Sequence, residues 1–232
     1  MGLTLTTRLL LLAGALLPIG FASPPPCQYA DQPALLAASD DWSTALVDTA
    51  FRLPADYVPA DLVPVRRAGL ADDRTLRAAV VADLGDLLAA AREDGLSFEL
   101  QSAYRSFDYQ ERVFAGWIET LGRERALRTS ARPGHSEHQL GTALDLRSPG
   151  GPSPWELADW ALTAEGGWLQ ENGWLYGFVM SYPKGKEALT CYAYEPWHYR
   201  WVGRERAMHV HESALSLREW LWRELDVEAG VR

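Results

Sequence analysis

Two short stretches bring histidines and carboxylates to intervals that suit metal chemistry. The first, Arg132 to Leu146, contains SerGluHisGlnLeuGlyThrAlaLeuAspLeu, and the second, Tyr194 to Arg200, reads TyrGluProTrpHisTyrArg. His138 and Asp145 lie seven positions apart with Gly141, Thr142 and Ala143 between them. That interval suits a turn followed by a strand, with both side chains aimed into one cleft. Glu195 and His198 lie three apart, so one can hold a metal while the other addresses the water beside it. Catalytic zinc takes three ligands from His, Asp, Glu or Cys and keeps one position open. It brings the pKa of a water there from about 16 to about 7. A carboxylate outside the ligand set must then carry the proton to the leaving amine. The expected ligands of Zn2+ are His138, Asp145 and His198, and the expected base is Glu195. His135 competes with His138 for the first ligand position.

Either stretch alone is weak, because a single histidine is usually a satisfied core or surface residue. Both together, in this order in a short chain, resemble the signature of the VanY-type D-alanyl-D-alanine carboxypeptidases, zinc peptidases that trim bacterial peptidoglycan stems. SerAlaTyrArgSer at 102–106 resembles a third motif of that family, and the likeness runs from about Trp42 to about Leu225. The family pattern Ser-x-His-x6-Asp favours His138 over His135. The resemblance also implies an α+β fold: a small antiparallel sheet flanked by helices, with zinc in a cleft on the sheet. It makes Arg105 a group for the substrate carboxylate or for the developing oxyanion, since a guanidinium pairs with either through two hydrogen bonds. The bland alternative for Arg105 is a surface salt bridge. Gln110, Ser136, Tyr104 and Trp197 are expected to touch substrate. The activity implied is removal of a terminal D-alanine from stem peptides. The alternatives are L,D-carboxypeptidase action on tetrapeptide stems, cleavage of crosslinks as an endopeptidase, and a non-catalytic zinc-containing binding module.

The elements that must position these groups are legible from periodicity. Asp72 or Asp73 can cap a helix running to about Asp94, with Leu76, Val80, Leu84, Leu87, Leu88 and Ala91 on one face. Phe98 to Ser102 alternates like a strand that delivers Tyr104 and Arg105. Asp108 to about Leu121 should be helical, with Tyr109, Val113, Trp117 and Leu121 partly buried, and a shorter helix should span Glu124 to Arg128. Ser153-Pro154-Trp155-Glu156 has the pattern of a capping box and predicts a helix to about Asn172. Trp174 to Met180 and Tyr192 to Val202 read as strands, with Pro196 marking a bulge or edge. Arg204 to Leu225 reads as one C-terminal helix, and His209 and His211 on it are left outside the site. Trp42 to Asp48 reads as a short strand or turn.

The remaining features bound the setting. The chain has 232 residues and a net charge of −9, with no basic stripe, so nucleic-acid binding has little support. Residues 1–22 read as a secretory signal: Arg8, an apolar run from Leu9 to Leu17, and Gly20-Phe21-Ala22 before the cut. The run is short for a membrane span, so no stable insertion is expected after cleavage. Residues 23–60 read as an extended arm and 61–232 as a single catalytic domain. Cys27 and Cys191 are the two cysteines, and in an exported chain a bridge between them is plausible. The expected setting is the secreted fraction, periplasm or cell envelope, and the expected state a monomer.

Overall fold

The computed structural model describes residues 23–35 and 42–228, with side chains to 225. The proposed signal, residues 1–22, lies outside the described residues.

The N-terminal arm is held by pairing with the body. Strand β1 (Gln32–Pro33) lies parallel to β2 (Phe51–Arg52). Trp42–Thr44 forms a 3-10 turn, and Leu46 bridges back to Leu35. Strand β3 (Leu62–Pro64) then pairs antiparallel with β4 (Thr75–Arg77). That pairing displaces the expected helix start. Asp72 accepts from the backbone and side chain of Arg74 in a local turn, and helix α1 (Ala78–Glu93) begins only after β4. Its C-terminal end is as expected, with Gly95 at φ +77°.

Strand β5 (Glu99–Ser102) leads to helix α2 (Phe107–Leu121), whose first turn is capped by Ser106 accepting from the Tyr109 amide. Helix α3 (Arg123–Thr129) follows, then a 3-10 turn at Glu137–Leu140 and strand β6 (Ala143–Arg147). The Ser153 capping box is present but supports one 3-10 turn, Pro154–Glu156, rather than a long helix. Asp159 caps a second turn, and helix α4 (Ala164–Asn172) starts anew from Thr163. Gly166 lets α4 lie on that turn, since a Cβ there would sit 2.2 Å from the Trp160 carbonyl oxygen.

Trp174 to Met180 splits into a 3-10 turn and strand β7 (Phe178–Met180), separated by Gly177 at φ +89°. Helix α5 (Glu187–Thr190) precedes a loop, and strand β8 covers only His198–Trp201. The expected C-terminal helix is two, α6 (Arg204–Ser213) and α7 (Leu217–Glu228). Ala214 at φ +56° breaks it, and Ser216 and Glu219 exchange capping hydrogen bonds to restart it.

The main sheet is antiparallel in the order β5-β6-β8-β7. Its side chains alternate with the pleat. Leu144, Leu146 and Tyr199 enter one core with Val80, Leu84, Leu87 and Leu88 of α1. Ala143, Asp145, His198 and Arg200 therefore point to the other face. A second core joins α6 and α7 to the arm through Phe51, Val202, Val210, Leu217 and Leu221. Each buried leucine contributes roughly 1.5–3 kcal/mol. This α+β arrangement is the expected one, and it leaves the middle of the sheet's second face free for chemistry.

Candidate metal centre and active-site cleft

Strand register brings the first groups together. Asp145 on β6 is the partner of Ser102 on β5 and of His198 on β8. The β5 register slips between Leu100 and Ser102, the kind of irregularity that re-aims a strand end. His138 reaches the same point from the 3-10 turn. Ser136 caps that turn by accepting from the His138 amide, and Gly141 at φ +73° returns its own amide to the His138 carbonyl. A Cβ on Gly141 would meet Leu62 at 3.1 Å, so the turn and β3 are fitted closely.

The donor atoms of His138, Asp145 and His198 lie within 4.8 Å of one another, and all three residues are buried. The histidine faces are set by their other nitrogens. His138 Nδ1 is 2.8 Å from the Ala103 carbonyl and must donate to it, leaving Nε2 free, 3.3 Å from Asp145 Oδ2. His198 Nε2 is 2.9 Å from Glu137 Oε2, leaving Nδ1 turned to Asp145 Oδ1 at 2.9 Å. Two ligands on a tetrahedral zinc at about 2.0–2.1 Å stand about 3.3 Å apart. Two imidazole nitrogens and a carboxylate oxygen at this spacing fit zinc once the ion displaces the proton of His198, with each histidine held by an outer partner.

The electrostatics set the two histidines apart. Burial holds His138 neutral, its pKa down to about 4, with Arg105 adding to the effect. Burial also opposes charge on His198, but hydrogen bonds to Asp145 and Glu137 outweigh it and raise the pKa to about 10. Asp145 stays ionised despite burial because His138 and His198 hold its pKa well below the usual range.

Glu195 is not on the strand expected for it. It lies in the loop before β8, and the His198 amide donates to its carbonyl at 3.2 Å, closing the turn Glu195-Pro196-Trp197-His198. Proline suits the second position of such a turn. The three-residue spacing thus becomes a hairpin of chain that puts Glu195 and His198 on one cleft wall. Burial pushes the Glu195 carboxyl up to about 8; Asp145 and Glu137 add to this, while His198 and Arg105 oppose it.

Arg105 lines the cleft as well. Its Nε donates to Ser102 Oγ at 2.7 Å, and its terminal nitrogens to Gln110 Oε1 at 3.3 Å and Asp145 Oδ2 at 2.9 Å. A guanidinium has five N–H groups, so two remain for a substrate. Ser136 and Trp197 line the cleft. Gln110 and Tyr104 do not, and the expectation for both is corrected. Gln110 is fully buried, accepting from Arg105 while its amide nitrogen donates to the Ala131 carbonyl at 2.8 Å. It positions Arg105 instead of meeting substrate. Tyr104 lies outside the cleft lining with its hydroxyl enclosed.

His135 is accounted for elsewhere: Nδ1 is 2.7 Å from the Asp48 carbonyl and Nε2 3.0 Å from Asp31, which fastens the arm. Sequence reading missed Glu137. It accepts from Ser181 Oγ at 2.6 Å and from Arg200 at 3.0 Å besides meeting His198. The available signal was Arg200 itself, two residues after His198 and so on the same strand face, where a buried guanidinium demands an acid.

Residues 73–204 match the family model VanY, D-alanyl-D-alanine carboxypeptidase. The chain belongs to the VanY family. Among relatives, the "Putative carboxypeptidase YodJ" of Bacillus subtilis is 37% identical over 181 residues, 76% of this chain and 66% of that protein. A D-alanyl-D-alanine carboxypeptidase of Enterococcus faecalis is 31% identical over 194 residues, 78% of this chain and 66% of that protein. The chain thus spans slightly under two thirds of the length of these relatives. A vancomycin-resistance D,D-pentapeptidase VanY solved with Zn(II) is 30% identical with a TM-score of 0.66, covering 78% of this chain and 99% of that one. The LdcB LD-carboxypeptidase is 32% identical with a TM-score of 0.65, covering 77% and 85%. The VanY membership and the Zn(II)-bound neighbour agree with the donor set found here, and zinc is the metal that these residues suit.

The cleft has a volume of about 490 Å³ and runs from this centre along α2. Tyr109, Val113, Trp117 and Leu121, expected as packing residues, line it at helical spacing. Trp155 meets Trp117 and Trp197 edge-on, with ring centroids 6.0 and 6.1 Å away.

Proposed function

We propose that this protein is a zinc-dependent carboxypeptidase that hydrolyses the C-terminal D-alanine of peptidoglycan stem peptides ending in D-Ala-D-Ala. The observation that carries the reading is one cleft lined by the His138–Asp145–His198 cluster, by Glu195 on the turn that leads into His198, and by Arg105 with two unused donors. Bound zinc supplies Lewis acidity toward the scissile carbonyl and makes water acidic. Glu195, itself not a ligand, takes a proton from the attacking water and delivers it to the departing amine. A carboxyl whose pKa burial raises to about 8 suits both halves of that transfer. Arg105 holds the terminal carboxylate or the developing oxyanion. Ser136 and Trp197 flank the peptide.

A second reading, L,D-carboxypeptidase action on tetrapeptide stems, is favoured by the likeness to LdcB, which is nearly as close in fold as that to VanY. The chain is proposed to act as a monomer after loss of residues 1–22, outside the cytoplasmic membrane. The Cys27–Cys191 disulfide supports an oxidising compartment, and among the described residues no helix is long and apolar enough to cross a membrane. Digestion of defined pentapeptide, tetrapeptide and crosslinked muropeptides, with and without a chelator and read by mass, tests the assignment. Chelator-sensitive loss of one D-alanine from the pentapeptide is expected. Loss only from the tetrapeptide would select the second reading, and cutting only of crosslinks would make the protein an endopeptidase. Zinc content without any cleavage would make it a binding module.

A further inference from the structure

The cleft holds two arginines, and they differ in what their charges meet. Arg105 is tied to Ser102, Gln110 and Asp145 beside the metal centre. Arg125 of α3 lines the part of the cleft reached along Leu121, is exposed, and has no hydrogen-bond or ion-pair partner for its guanidinium among the described residues. Its own helix offers none: the positions three and four further on are Arg128 and Thr129, and the residues just before the helix on that side are Leu121 and Gly122. The other charged groups lining the cleft, Glu137, Asp145 and Glu195 with the two histidines, belong to the metal end. Arg125 is thus a cleft cation with no protein partner among the described residues, in a lining shared with the apolar Val113, Trp117 and Leu121.

Besides its scissile amine, the leaving D-alanine has a methyl group and one carboxylate, and with that carboxylate assigned to Arg105 its needs are met at the metal end. Whatever reaches Arg125 must belong to the acyl side of the scissile bond. We propose that Arg125 is a specificity-determining residue that pairs with a free carboxylate carried by the stem upstream of that bond. Resting on the stem-peptide reading, this narrows the substrate class to stems that keep an unamidated acid there. The carboxylate could be the α-carboxylate of the γ-linked D-glutamate or a terminal carboxylate on the long side chain of the third residue.

The test uses synthetic pentapeptides of the form acetyl-L-Ala-γ-D-Glu-X-D-Ala-D-Ala with the zinc-loaded enzyme. Each carboxylate is amidated separately, and lysine serves as the X that lacks the second one. Amidating the recognised group should raise KM about three- to fivefold, the size of an exposed ion pair, and leave kcat within about twofold. Salt near 0.5 M should shrink the difference, because about 4 Å of screening length then remains. Arg125→Gln should erase the difference, and Arg125→Glu should invert it. Wild-type enzyme indifferent to both amidations, or an equal difference in Arg125→Gln, would overturn the pairing. Calorimetric binding of the same peptides reads the subsite without turnover. Acid preference in binding with no cleavage would uphold the Arg125 pairing while removing the carboxypeptidase reading; cleavage with no acid preference would do the reverse.

Discussion

His198 is gripped at both nitrogens, with Glu137 Oε2 2.9 Å from Nε2 and Asp145 Oδ1 2.9 Å from Nδ1. One of these carboxylates belongs to the metal site and the other stands behind it. Glu137 does more than orient the ring, because it also neutralises Arg200, which is completely buried. Glu137→Gln keeps the shape and should weaken zinc binding about 10- to 100-fold, as loss of an outer-shell partner does. Competition against a chelating dye measures it. Glu137→Ala should in addition destabilise the fold by about 3–5 kcal/mol, because a buried guanidinium loses its acid. Unchanged affinity in Glu137→Gln would separate the residue from the metal site.

Zinc affinity should depend on pH through His198. In the chain by itself this histidine keeps its proton up to about pH 10, and a metal must displace it. His138, with its pKa near 4, adds no such cost at neutral pH. Apparent affinity should therefore rise about tenfold per pH unit between pH 6.5 and 9, with one proton released per zinc. The metal-free protein should behave oppositely. A raised folded-state pKa gives stability that is complete below the unfolded value of 6.5 and is lost as pH climbs to about 10. Denaturant melts of both forms across that range check the crossing signs.

Glu195→Ala should leave zinc content and affinity near those of the wild type and lower kcat by at least about 100-fold. Glu195 does not belong to the three-residue donor cluster, so the two properties should separate. Retained turnover in Glu195→Ala would remove it from the proton path.

Gln110 should act through Arg105. Gln110→Leu removes the acceptor for the guanidinium and strands the Ala131 carbonyl. About tenfold loss in kcat/KM is expected, with a stability cost of roughly 1–3 kcal/mol. Arg105→Lys should lose more activity with less destabilisation, since an ammonium cannot reproduce the fork. Equal kcat/KM in Gln110→Leu and wild type would confine Gln110 to packing.

The Cys27–Cys191 bridge closes a loop 164 residues apart and joins the arm to the loop that leads into Glu195. Breaking it with Cys27→Ser should cost about 2–4 kcal/mol. For a domain of this size that lowers Tm by roughly 5–15 °C. Calorimetry with and without reductant gives the same comparison on the natural chain.

The sequence by itself determined the chemistry and the framework around it. His138, Asp145 and His198 with Glu195 are residue types that hold and use zinc, and their local spacings already demand a turn before a strand and a tight turn before a histidine. The α1 stripe and the alternation of β6 are likewise local, because period 3.6 or period 2 needs no knowledge of the partner element. Helix lengths were less legible. Asp159, Thr163 and Ser216 are each able to cap, and which cap wins depends on what the segment packs against, as with Gly166 under the Trp160 turn.

Side chains that act on distant partners take their roles from the packed fold. Gln110 reads as a substrate contact and is a buried brace for Arg105; Tyr109 to Leu121 read as partly buried helix positions and form a cleft wall; Glu137 is hidden beside the ligand it does not join. These assignments are set by strand register and by which face of a helix meets the cleft. Such pairings bring together residues tens of positions apart, and no spacing along the chain encodes them.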